Sequence, residues 1–234
     1  MAIFLENWRE IPIIECRERL VSVSGRHPRL SAVPQYFRWG IEGALNDCLV
    51  RETVCAKLIE IAERLPGDLR LVVWDGWRSK EVQTRLFEAY RPRVVAENPQ
   101  LDAAEIDRRT SIFVSLPSST PNAPSPHNTG GAVDLTLADA GEESLPMGTA
   151  FDDFSPMANT AYFDELALQK PLSEKETRCS ANRRILCEAM SSLGFVNYPN
   201  EWWHFDYGNQ WWAARIHQAK AYYGPALPVE DSSL

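Results

Sequence analysis

The chain has 234 residues, 44% of them hydrophobic, which is enough to bury one substantial core, so a single domain over 1–234 is expected. Lys and Arg number 24 against 32 Asp and Glu, a net charge of −8, and such a field repels phosphate backbones and anionic lipid. Neither nucleic acid nor a membrane is an expected partner, and the oligomeric state is not legible.

The opening MAIFLENWREIPII carries Glu6, Arg9 and Glu10 where a secretory leader needs an unbroken apolar run, and no stretch approaches a membrane span in length. The expected location is the cytoplasm. From Leu45 to Leu65 apolar residues recur at helical spacing and stop at Pro66-Gly67, which predicts a helix. LRLVVW (69–74) reads as a short strand, followed by the polar turn Asp75-Gly76 and then Trp77-Arg78. A second helix is predicted from about Ser79 to Ala96, with Val82, Leu86, Phe87, Tyr90 and Val94 on one side. The segment LPSSTPNAPSP (116–126) has four prolines in eleven positions, which excludes regular helix and predicts a surface loop leading to His127.

After Gly130-Gly131, AVDLTL alternates, so that Val133, Leu135 and Leu137 share one face of a strand and Asp134 and Thr136 the other. Ser173 and Glu176 form a capping-box signature, and Ile185, Leu186, Ala189, Met190 and Leu193 continue an apolar helical stripe to Gly194. Phe195 to Tyr198 reads as a strand leading to EWWHF. Helices and strands are interspersed without regular strand-helix alternation, which gives the class as α+β. Residues 1–40 are expected as an extension packing on the domain, and 225–234 as a frayed tail. The five cysteines (Cys16, Cys48, Cys55, Cys179 and Cys187) contain no CxxC pair and are odd in number, so buried free thiols are expected, Cys48 and Cys55 within the first helix.

Only four histidines exist, and two sit in segments that also present acids: SPHNTGGAVD (125–134) and EWWH (201–204). Catalytic zinc needs three nitrogen or oxygen ligands and an open position, and His127, Asp134 and His204 supply two imidazoles and one carboxylate. Glu201 lies three residues before His204, near enough to act as general base and acid. Residues 201 and 204 face opposite sides of a regular strand, so a turn or bulge between them is predicted. Arg78 offers fixed charge and several donors for an oxyanion on a scissile carbonyl. His27, and His217 on the polar face of a late helix, have no acid at ligand spacing and are read as structural. Singly each of these residues has a packing role open to it; the combination points to zinc-assisted amide hydrolysis. An iron-dioxygen site with the same ligand types uses H-x-D and needs no Glu201, whereas six residues separate His127 from Asp134. A non-catalytic zinc-binding module would need neither Glu201 nor Arg78.

Asp75-Gly-Trp-Arg78, Ser125-x-His127 through Gly130, Ala132 and Asp134, Pro146-Met-Gly-Thr-Ala-Phe-Asp152, and Glu201-Trp-Trp-His204 together resemble the D-alanyl-D-alanine dipeptidases of the VanX type, in the family's order. The resemblance implies one zinc per chain on His127, Asp134 and His204, Glu201 as base and Arg78 as the transition-state cation. It also implies a compact domain with a small, mainly antiparallel sheet flanked by helices, as in other peptidoglycan D,D-peptidases. Asp152 is implied to receive the free ammonium of a dipeptide, with Ser125 and Asp75 among the substrate-binding residues. Those enzymes carry an N-terminal tyrosine segment near the ammonium pocket, and here the segment SVSGRHPRLSAVPQYFRWG shows only Tyr36, in a different context. The nearest rival is a carboxypeptidase or endopeptidase on peptidoglycan stems, which needs a longer cleft in place of an ammonium clamp.

Overall fold

Residues 7–118 and 120–228 are described by a computed structural model. In chain order they form β1 (Leu20–Ser22), β2 (Leu30–Ala32), α1 (Gln35–Arg38), β3 (Leu49–Arg51) and α2 (Glu52–Arg64). There follow β4 (Arg70–Asp75), α3 (Lys80–Glu97), α4 (Ala103–Thr110), β5 (Ala132–Ala138) and α5 (Tyr162–Ala167). The chain continues through α6 (Glu174–Ser192), β6 (Val196–Asn197), β7 (His204–Asp206) and α7 (Gln210–Arg215). The main sheet has the order β2-β4-β5-β7-β6, parallel only between β2 and β4, and β1 pairs with β3 in a separate ribbon. This is the α+β arrangement with a small, mainly antiparallel sheet flanked by helices.

The periodic segments form where expected. α3 starts at an N-cap in which the Ser79 side chain accepts from Val82 N, and α6 carries the reciprocal capping box of Ser173 and Glu176. The helix expected from Leu45 begins only at Glu52, because Leu49–Arg51 pairs with Leu20–Ser22 as a strand; the pairing partner lies about thirty residues away and overrides the local periodicity. Cys48 accordingly lies outside the helix, though buried, and Cys16 is exposed. His217 lies past the end of α7, with φ +58 and its side chain on the surface.

β4 and β5 anchor the core. Leu71 and Val73 pair with Leu137 and Leu135, and α2 and α6 pack against these strands, burying Leu58, Ile61, Leu186 and Met190 in the same cluster. Between Val73 and Asp75 the register slips by one residue, a bulge that brings Asp75 opposite Asp134. Asp134 in turn pairs with His204 of β7, so three adjacent strands set Asp75, Asp134 and His204 in a row across the sheet.

The segment before residue 41 contributes β2 to the main sheet and Tyr36 to the buried interior. Within the tail expected to fray, Ala226 is tied to the domain, its N donating to Asn128 O and its carbonyl accepting from Trp77 Nε1, each at 2.9 Å. The first six residues of the expected extension and 229–234 of the expected tail lie outside the described residues. Among the described residues no helix is long and apolar enough to cross a membrane.

Candidate functional site

His127 hangs from a 3-10 turn (Pro126–Thr129) that ends at Gly130, whose φ of +71 is the left-handed conformation glycine adopts without a Cβ clash. The turn delivers the imidazole beside the Asp134–His204 strand pair. His127 Nε2 lies 3.2 Å from His204 Nδ1 and 3.3 Å from Asp134 Oδ2, and His204 Nδ1 lies 3.0 Å from Asp134 Oδ1. All three side chains are buried, and their ligand atoms lie within 4.8 Å of one another.

The other nitrogen of each ring is already engaged. His127 Nδ1 lies 2.7 Å from the Gly76 carbonyl oxygen, and His204 Nε2 lies 3.0 Å from Asp206 Oδ2. With a proton on each of those outer nitrogens, His127 Nε2 and His204 Nδ1 present lone pairs to one point shared with Asp134. A tetrahedral ion with bonds of about 2.1 Å separates its ligand atoms by roughly 3.4 Å, close to the spacing of these three. The donor set therefore fits zinc, and the sequence-predicted ligands converge.

Between Glu201 and His204 the chain turns, as the spacing requires: His204 N donates to Glu201 O at 3.3 Å where β7 begins. Glu201 Oε2 thereby comes to 3.8 Å from His204 Nδ1, on the same side as the cluster. Burial pushes the Glu201 carboxyl well above its ordinary pKa, and the Asp134 and Asp152 charges add to this against the pull of His204 and Arg78. A proton-accepting group of raised basicity beside a set of residues able to hold a metal is the arrangement that general-base chemistry needs.

Arg78 is buried just past β4. Its Nε and Nη2 donate to Asp75 Oδ2 at 3.0 and 2.8 Å, Nη1 donates to Gln83 Oε1 at 3.0 Å, and Nη2 comes within 3.5 Å of Asp134 Oδ2. Burial opposes the Arg78 charge, but Tyr36, Asp75 and Asp134 outweigh it and hold the guanidinium protonated. Asp75 thus sits behind Arg78 as a clamp and does not line the cavity in front of the cluster. Burial raises the Asp75 carboxyl, against Arg78 and His127. Asp134 moves the other way: its burial is outweighed by His127 and by the bonds from His127 and His204, which hold it well below the usual carboxylate range.

Asp152 lines the same cavity, and its backbone has a left-handed φ of +56. Its Oδ2 accepts from Tyr36 Oη at 2.9 Å, and Arg78 Nη2 donates to the same hydroxyl at 3.2 Å. Tyr36 thus stands against Asp152 although the two are 116 residues apart in sequence. Burial and the nearby Asp134 charge push the Asp152 carboxyl up to about 7, against Arg78 and the Tyr36 hydrogen bond. Ser125 is buried as the residue before the His127 turn, but it does not line the cavity.

The cavity has a volume of about 370 Å³, within the range of small-ligand sites. Its polar floor gathers Asp134, Asp152, Glu201 and Asp206 around the guanidinium of Arg78, an excess of negative charge that a divalent cation and a cationic substrate group would offset. Gln83 and Asp206 are residues that sequence reasoning passed over, and Tyr36, set aside there for its different context, stands against Asp152. Only Asp206 had a signal, since H-F-D puts it two residues from His204 on the same strand face.

A family model described as D-ala-D-ala dipeptidase matches residues 42–221. D-alanyl-D-alanine dipeptidase of Synechocystis sp. is 27% identical over 238 residues, covering 94% of this chain and 96% of the relative. The Escherichia coli enzyme of that name is 31% identical over 162 residues, covering 68% of this chain and 66% of its own. Among solved structures, a vancomycin-resistance D,D-pentapeptidase VanY in complex with Zn(II) aligns with a TM-score of 0.44 at 18% identity, over 77% of this chain and 85% of that one.

Proposed function

The chain belongs to the D-Ala-D-Ala dipeptidase family of peptidases, and from that premise we propose that it hydrolyses the amide bond of a free dipeptide, D-alanyl-D-alanine, at a single zinc held by His127, Asp134 and His204. One observation carries the reading: two imidazoles with their outer nitrogens fixed by Gly76 and Asp206 turn their inner nitrogens to Asp134, with Glu201 beside them.

When bound there, zinc supplies Lewis acidity to a water molecule and to the scissile carbonyl. The rest of the chemistry falls to side chains. Glu201, its basicity raised by burial, takes the water's proton on its carboxylate and gives it to the leaving amine. Arg78, clamped by Asp75 and Gln83, keeps its charge where the oxyanion develops and moves little as it forms. Asp152 pairs with the substrate ammonium, and Tyr36 fixes the carboxylate's direction. Ser125 contributes through the turn it opens ahead of His127. A cytoplasmic location is part of this reading, since a small dipeptide is a diffusible substrate.

The ammonium clamp favours a dipeptidase over a stem-peptide carboxypeptidase. The test is release of alanine from D-Ala-D-Ala by the zinc-loaded protein, beside L-Ala-L-Ala and N-acetyl-D-Ala-D-Ala. Hydrolysis of the free D,D dipeptide alone is expected. Cleavage of the acetylated compound would shift the reading to a carboxypeptidase, and no cleavage of any would leave a non-catalytic zinc module.

A further inference from the structure

Asp152, Tyr36 and Arg78 form one end of the cavity, and a second wall of different character is built by Trp8, Arg9, Tyr198 and Trp211. Arg9 lies in a 3-10 turn (Trp8–Glu10) held on the domain from outside itself. Gln210 Nε2 at the start of α7 donates to Arg9 O at 2.8 Å and to Ile11 O at 2.7 Å, and Trp8 packs edge-to-face on Trp211 at 5.8 Å between centroids. The guanidinium lies 4.3 Å from the centre of the Trp8 ring. Tyr198 links this wall to the cluster, its ring 5.4 Å from Trp211 and 6.0 Å from His204.

Two features of this wall point to an anion. Among the described residues, no carboxylate lies within 4.0 Å of the Arg9 guanidinium, although the residue is half-buried. The carboxylates of the cavity floor, Asp134, Asp152, Glu201 and Asp206, belong to the His204 side, and the Trp211 Nε1–H on the Arg9 wall is itself buried without an acceptor. Burial lowers the Arg9 pKa, a cost that an anionic ligand would reverse. A free dipeptide is a zwitterion with an ammonium at one end and a carboxylate at the other, and this cavity carries the Asp152 carboxylate on one wall and, on another, a guanidinium with no carboxylate partner among the described residues. Arg9 also falls before residue 42, outside the segment matched by the family model.

We propose that Arg9 receives the C-terminal carboxylate of the dipeptide, opposite the Asp152 ammonium pocket, so that the cavity measures the substrate from both charged ends. The proposal rests on the dipeptidase reading. A guanidinium engages a carboxylate through two parallel donors, and loss of one such charge-assisted pair costs roughly 10- to 100-fold in affinity.

The test compares D-Ala-D-Ala with its C-terminal amide on wild-type protein, Arg9→Ala and Arg9→Lys. The expected wild-type preference is at least tenfold in kcat/KM for the free acid. Arg9→Ala should lower kcat/KM for the acid by roughly 10- to 100-fold and leave the amide unchanged, and Arg9→Lys should restore part of the preference. Calorimetric binding of the two ligands to Glu201→Gln, with and without Arg9→Ala, should show the same collapse without turnover. Equal use of acid and amide by the wild type, or an acid preference that survives Arg9→Ala, would overturn the proposal while leaving the dipeptidase reading intact. Hydrolysis of neither compound by the wild type would overturn both.

Discussion

Replacing Asp206 by Asn tests whether the convergence of the two imidazoles is held from behind. The Asp206 carboxylate is buried; Oδ2 lies 3.0 Å from His204 Nε2, where it accepts the ring N–H, and Oδ1 accepts from Asn209 Nδ2 at 2.5 Å. Asp206→Asn keeps the shape but leaves one acceptor for two donors. If Asn209 keeps that oxygen, the new amide N–H meets His204 Nε2 and favours the tautomer with its proton on Nδ1, the nitrogen that must face the metal. If His204 keeps it, Asn209 loses its partner and the cap it gives Trp212 N. Removing such an outer partner typically weakens metal affinity 10- to 100-fold, about 1.4–2.8 kcal/mol. Competition for zinc against a chromophoric chelator measures this, with the thermal melt of the metal-free protein as a control on folding. Zinc affinity within twofold of wild type, in a metal-free protein that melts normally, would refute the reasoning.

Asp152 sets a pH dependence with a defined sign. With its carboxyl pushed up to about 7, it is neutral below that pH and cannot pair with an ammonium, so KM for the dipeptide should fall as pH rises from 5 to 7 and level off near 8. Asp152→Asn should raise KM at pH 8 and abolish the slope; a wild-type KM independent of pH over that interval would contradict the ammonium pairing. Gly76→Ala should destabilise the fold and loosen His127 together, because the added Cβ overlaps the Leu49 carbonyl oxygen and crowds Val50 Cγ1 while the Gly76 carbonyl holds the imidazole. A loss of about 1–3 kcal/mol, read as a melting point lowered by several degrees and accompanied by weaker zinc binding, is expected; an unchanged melt would show that the strand next to it gives way freely.

Chemistry was more legible in the sequence than packing. His127, Asp134, Glu201 and His204 could be named because acid and imidazole occur close together in two short segments, and the turn between 201 and 204 followed from strand geometry alone. α3, α6, β4 and β5 were legible for a similar reason, since cap, period and stop signals lie inside each segment. What escaped depends on partners distant in sequence. Leu49–Arg51 became strand because β1 lies beside it, and Asp75 turned toward Arg78 and Asp134 because of a bulge that no local pattern announces. Tyr36 reaches Asp152 across the fold from a segment whose sequence context gave no hint of it. Arg9 stood out only as an interruption in an apolar run, while its place at the cavity depends on Gln210 and Trp211 near the other end of the chain.

The central claim, that Glu201 moves the proton at a zinc held by three other residues, is tested most directly by Glu201→Ala. Zinc content and D-alanine release from D-Ala-D-Ala are measured on the same preparation, beside wild type and His204→Ala. The account predicts that Glu201→Ala binds one zinc per chain and loses turnover by orders of magnitude, whereas His204→Ala loses both. Turnover near the wild-type rate in zinc-loaded Glu201→Ala would contradict it.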